Sequence, residues 1–85
     1  MSQTSVEGVR ASVLEAVLAE RERQDSLWGD QAKHSDAWWT VITASGNGKV
    51  ARAVYEQDVA KAYLEIIQVC AVYSAWAEAI LRRTE

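Results

Sequence analysis

Few residues in this chain of 85 are equipped for chemistry, and most of them recur at helical spacing. Glu65 stands between Ala62 and Val69 in an otherwise apolar stripe, where a carboxylate is expensive to bury unless it is paired or binds a cation. Trp38, Ile42, Ser45, Lys49, Arg52 and Glu56 follow one another at steps of four and three, so they share one helix face. That face turns polar and basic at its middle, where a core helix should be most apolar. A serine and two cations opposite Glu65 form an anion pocket with one acidic wall, or else Lys49 or Arg52 pairs with Glu65 in a buried salt bridge. The spacing leaves both open. Trp28, in a polar stretch, is either a plug over the core or a stacking surface for a ligand. His34 is the only histidine, has no neighbours at metal-ligand spacing, and is expected to be exposed and idle.

Several chemistries find no support. Gly46 and Gly48 give only G-x-G, without the third glycine or preceding strand of a dinucleotide-binding loop. No serine has a histidine–carboxylate pattern around it. Cys70 is the single cysteine, which excludes an internal disulfide and a cysteine zinc cluster; its place in an apolar seam predicts a small core hydrophobe.

These residues must be positioned by helices. Thr4 and Glu7 form a capping box, and Val6, Val9, Val13, Ala16 and Val17, with Leu14 and Leu18 beside them, predict an amphipathic helix to about Gln24. Its far side, with Glu15, Arg21, Glu22 and Arg23, reads as solvated. Asp25 to Ser35 lacks periodicity and is expected to be a structured loop. Ser35 or Asp36 can cap a second helix from Ala37 to about Gln57. Ser45-Gly46-Asn47-Gly48 is its weak point, because each glycine costs about 1 kcal/mol relative to alanine inside a helix. Either the helix breaks there or something outside propensity holds it. Asp58 can cap the third helix, whose Val59, Tyr63, Ile66, Cys70, Tyr73, Ala77 and Ile80 form an a/d seam, with Ala62, Val69, Val72, Trp76 and Ala79 as a second stripe. A helix so widely apolar must be buried on several sides.

The pattern Glu20-Arg21-Glu22-Arg23-Gln24-Asp25, then Leu27-Trp28-Gly29-Asp30-Gln31, His34 and Trp39, then Glu65 to Val72 with Trp76 and Glu78-Ala79-Ile80, resembles the short, often phage-encoded branch of the MazG-like nucleotide pyrophosphohydrolases. The likeness spans roughly residues 12 to 83. It implies an all-α dimer or tetramer that cleaves nucleoside triphosphates with magnesium held by a Glu-Glu-x-x-Glu motif. Hard divalent cations want several carboxylate oxygens, and attack on phosphate wants those cations to offset developing charge. Where that motif should lie, this chain has Ser45, Gly46 and Lys49. Glu65 is kept, and Gln68 stands where the wider family has aspartate. Such a set is a poor magnesium cage, so no catalytic or metal-ligating residue is expected. An ammonium in the metal's place can itself attract phosphate, and the Gly46–Gly48 backbone can donate to its oxygens. Trp28, Gln31 and His34 match positions that in the family surround the nucleotide.

The resulting expectation is a single all-α domain over 1–85: a MazG-like bundle of three to four helices completed by oligomerisation. Its ligand is a nucleotide or cyclic-nucleotide-type small molecule bound without hydrolysis by Trp28, Gln31, His34, Ser45, Lys49, Arg52, Glu65 and Gln68, with no cofactor. In a phage setting that activity suits a sponge for a nucleotide second messenger made by host immunity. The alternatives are an active enzyme, with magnesium on Glu65 and groups such as Glu56 or Asp58, and an interaction module that kept only the fold. A net charge of −3 from nine basic and twelve acidic residues argues against a nucleic-acid partner. Met1 to Arg10 has no apolar signal-peptide core, and uncharged runs such as Ile66 to Ala77 fall short of the roughly 20 residues of a membrane span, so the expected location is the cytoplasm.

Overall fold

The computed structural model describes residues 5–84, which form three helices and no strand among the described residues: α1 (Val6–Trp28), α2 (Asp36–Tyr55) and α3 (Val59–Thr84). Thr4, and with it half of the expected capping box, lies outside the described residues; Ser5 caps α1 by accepting from the Gly8 amide at 2.9 Å. The helix runs four residues beyond the expected end. Nothing between Asp25 and Trp28 breaks a helix, and Arg21 donates to Asp25 one turn on. Termination comes at Gly29, whose φ of +69° suits a residue without a side chain. The connecting loop is therefore short, 29–35, and Trp28 belongs to the last turn of α1.

Ser35 caps α2, accepting from the Trp38 amide at 3.2 Å. The helix is unbroken through Ser45–Gly48 and ends two residues early, at Tyr55. Packing explains its survival across the glycines. A Cβ on Gly46 would stand 2.8 Å from Val69 Cγ2, so the missing side chain lets α2 lie close against α3. Gln57 at φ +59° then turns the chain, and Asp58 caps α3 by accepting from the Lys61 amide, as its sequence position predicts.

α3 is the central element. Both α1 and α2 pack on it, but no Cα of α1 comes within 8 Å of one in α2 among the described residues. The core is correspondingly thin. Trp39 is fully buried against Ala75 and Ala79, flanked by Ala32, Val72 and Trp76, with the Trp39 and Trp76 rings parallel at 6.5 Å. Trp76 donates to Asp36, and Arg83 forks onto the same carboxylate, tying the end of α3 to the start of α2. Arg21 departs from the solvated face expected of it: its guanidinium is largely buried and bonds to Glu78, Ser74 and Asp25 across to α3.

The two stripes of α3 fare differently. Val69 and Ala79 of the second stripe are buried, together with Ile67, Ala71 and Ala75. The a/d seam faces outward in the single chain, with Val59, Tyr63, Ile66, Tyr73 and Ile80 exposed. Cys70, expected in the core, is exposed with that seam. Apolar side chains of α1, including Val6, Leu14 and Leu18, are uncovered as well. By length and composition α3 is apolar enough to cross a membrane, although the seam's uncharged runs alone are too short. The accessible surface is 6292 Å², against about 5,000 Å² for a self-contained protein of this mass.

Candidate functional site

Because α1 and α2 stand apart on α3, a groove opens between them, with α3 as its floor. Its central cleft, about 210 Å³, takes Gln24 and Trp28 from α1, Ser45, Gly46 and Lys49 from α2, and Glu65, Gln68 and Val69 from α3. Five of the eight expected ligand residues (Trp28, Ser45, Lys49, Glu65 and Gln68) thus meet in one cleft.

The groove continues at both ends. Toward the 29–35 loop, Trp28, Ile42 and Val72 also border a recess of about 500 Å³ that includes Gln31, His34 and Trp38. His34 is half-buried rather than exposed, stacked on Trp38 with ring centroids 3.6 Å apart and 14° from parallel. Trp38 in turn meets Trp39 edge-on at 5.0 Å, which ties this aromatic wall to the core. Gln31 is buried and donates to Asp25, fastening the loop to the end of α1. At the other end Lys49 and Glu65 border a third recess, about 360 Å³, with Arg52, Glu56 and Lys61. Arg52 is well exposed and paired with Glu56 at 3.2 Å.

The α2 face from Trp38 to Glu56 therefore lies along the groove as its spacing predicts, about 27 Å of helix graded from aromatic to basic. The buried salt bridge offered as the alternative does not form. Among the described residues neither Lys49 nor Arg52 is ion-paired with Glu65, and Glu65 is half-buried beside open space.

Sequence reasoning missed the α1 wall. Glu20 takes a two-pronged bond from Arg23 at 2.8 and 2.7 Å and a third from Gln24 at 2.8 Å. The Arg23 guanidinium, aided by Gln24 and opposed by partial burial, holds the Glu20 carboxyl below its ordinary range. Gln24 also donates to the Gln68 carbonyl at 3.2 Å, and it is 2% exposed. The available signal was the four-residue spacing Glu20, Gln24, Trp28, which places all three on one face once the helix is carried past Asp25.

The cleft holds two carboxylates, Glu65 and a Glu20 already bonded to Arg23 and Gln24; Ser45, Gly46 and Lys49 bring none, and the described residues contain no group of three or more His, Cys, Asp or Glu side chains able to hold a metal. The groove offers aromatic rings at one end and, at the other, the Lys49 ammonium and the Glu56-paired Arg52 guanidinium beside Lys61 and Glu65. No family model, curated protein or solved structure matches the chain.

Proposed function

We propose that the chain is a MazG-like protein that binds a nucleotide without hydrolysing it, with the base at the Trp28–Trp38 end of the groove and the phosphates toward Lys49 and Arg52. The observation that carries this reading is the grading of one continuous groove from aromatic to basic, with Lys49 facing the cleft and making no ion pair among the described residues. Stacking on indole and a charge-assisted bond from an ammonium are the two interactions a nucleotide rewards most. Lys49 in the cleft, and the commitment of Glu20 to Arg23 and Gln24, argue for binding rather than turnover. In a phage setting such a protein serves as a sponge for a nucleotide second messenger of host immunity, in the host cytoplasm.

The binding form is proposed to be a homodimer or homotetramer. The isolated chain exposes roughly 1,300 Å² more than its mass warrants, while a standard interface takes about 800 Å² per partner. The a/d seam of α3, together with the uncovered apolar side chains of α1, is the surface proposed to be presented to a second copy.

Calorimetry against nucleoside mono-, di- and triphosphates and cyclic dinucleotides tests the reading. At least one is expected to bind at micromolar concentration or tighter, and Lys49→Met to weaken it about 10–100-fold. Absence of any binding tighter than millimolar overturns it. Release of pyrophosphate from a triphosphate with magnesium would restore the enzymatic alternative.

A further inference from the structure

Gln24 is almost wholly buried on the α1 wall of the cleft, yet its side-chain oxygen has no hydrogen-bond partner. The orientation of the amide is fixed by its neighbours. Its nitrogen donates to the Glu20 carboxylate and to the Gln68 carbonyl, both of which can only accept. The free atom is therefore the acceptor, held in place by two bonds and deprived of water. A buried acceptor left unmet is costly, and a ligand N–H that reaches it removes the cost.

The surroundings narrow the ligand group. Gln24 lies one helical turn before Trp28 on the same face of α1, and both line the cleft, so the amide and the indole are neighbours at one place in it. The Gln68 side chain, exposed at the same cleft, offers both a donor and an acceptor beside it. The oxygen itself is buried in the isolated chain, so the ligand group reaches it only if a bordering side chain shifts; Arg23, half exposed and held by Glu20, is the one that must swing aside while Trp28 stays as the stacking surface.

We infer that the Gln24 oxygen reads an exocyclic amino group on the base of the bound nucleotide, with the Gln68 amide meeting the adjacent ring nitrogen, which makes this a site for an amino-bearing base such as adenine. A single glutamine amide can meet both groups of adenine at once; here the Gln24 nitrogen is committed to Glu20 and to the Gln68 carbonyl, so the donor half falls to the Gln68 side chain. The inference rests on the proposed nucleotide reading and adds the specificity of that site.

The test compares two probes on the full chain: adenosine 5′-monophosphate and purine riboside 5′-monophosphate, which differ only in the amino group. The amino-bearing probe is expected to bind about 5–150-fold more tightly. Gln24→Met, checked for retained helicity, should reduce that ratio to within about twofold while leaving the des-amino probe nearly unchanged. Equal binding of the two probes to the unsubstituted chain overturns the inference even if the variant fails to fold. If neither probe nor any other nucleotide binds, the nucleotide reading falls and this inference with it.

Discussion

Replacing Gly46 by alanine sets two effects of known size against each other. Inside a helix the change should add about 1 kcal/mol of stability through propensity alone. The new Cβ, however, would stand 2.8 Å from Val69 Cγ2 and 3.2 Å from Val69 Cβ. Turning Val69 about χ1 moves the methyl but not its Cβ, so no rotamer relieves both contacts and the two helices must shift apart. Overpacking of that kind costs about 1–3 kcal/mol. Gly48 supplies the control two residues on, since nothing lies within 4 Å of a Cβ built there. Gly48→Ala should therefore be about 1 kcal/mol more stable than the parent, and Gly46→Ala about 0–2 kcal/mol less stable. The propensity contribution is common to both, so their difference isolates the overpacking cost, a separation of at least about 4 °C in Tm for a domain of this size. The assay is thermal unfolding followed by circular dichroism at one fixed chain concentration, because assembly makes Tm concentration-dependent. Adding Val69→Ala to Gly46→Ala should recover part of the propensity gain. Equal stabilisation by the two alanines would refute the close approach of α2 to α3.

Other substitutions probe separate features. Ser35→Ala removes the oxygen that accepts from the Trp38 amide and should cost about 1 kcal/mol in urea unfolding, whereas an unchanged midpoint would mean that the cap is not used. Ile66→Glu places a charge in the middle of the outward seam of α3 and should convert an assembled species to single chains in sedimentation velocity; unchanged mass would exclude the seam as the interface. The Glu78 carboxyl is held below its ordinary value near 4.5 chiefly by its bond from Arg21, and Asp36 is lowered chiefly by Arg83. A depressed carboxyl pKa contributes stability that is present above the unfolded value and lost as pH falls through the folded one. Tm should accordingly decline on acidification below about pH 4.5, and Arg21→Met should flatten that decline; an identical slope in the variant would count against the ion pair.

Helical periodicity carried most of the fold, because α2 and α3 announce themselves through apolar spacing and through Ser35 and Asp58 at their starts. It failed at the end of α1. Asp25 and Ser26 resemble loop residues by type; the Arg21–Asp25 pair at i,i+4 was open to reading from the chain, but the Gln31 bond to Asp25 across the loop and the anchoring of Arg21 on Glu78 and Ser74 were not. The same limit applies to Ser45–Gly48, where propensity argues for a break and the fit of Gly46 against Val69 decides otherwise. At the site, one face of α2 was legible in full because all its members share a single helix. Gln24 escaped notice because its significance depends on Glu20 and the Gln68 carbonyl together, a coincidence of two helices.

With α1 and α2 each resting on α3 and not on one another, the three helices form an open angle with its third side missing. The opening of that angle is set where each wall meets the floor, among other places at Gly46 against Val69 and Trp39 against Ala75 on one side and at Gln24 against Gln68 and Arg21 against Glu78 on the other. If the proposed ligand spans Trp28 and Lys49, it would supply the absent side and work as a strut. Its signature is mechanical as well as chemical: amide exchange should slow together in the last turns of α1 and the middle of α2, two stretches that share no backbone contact, and leave the outer seam of α3 as it was.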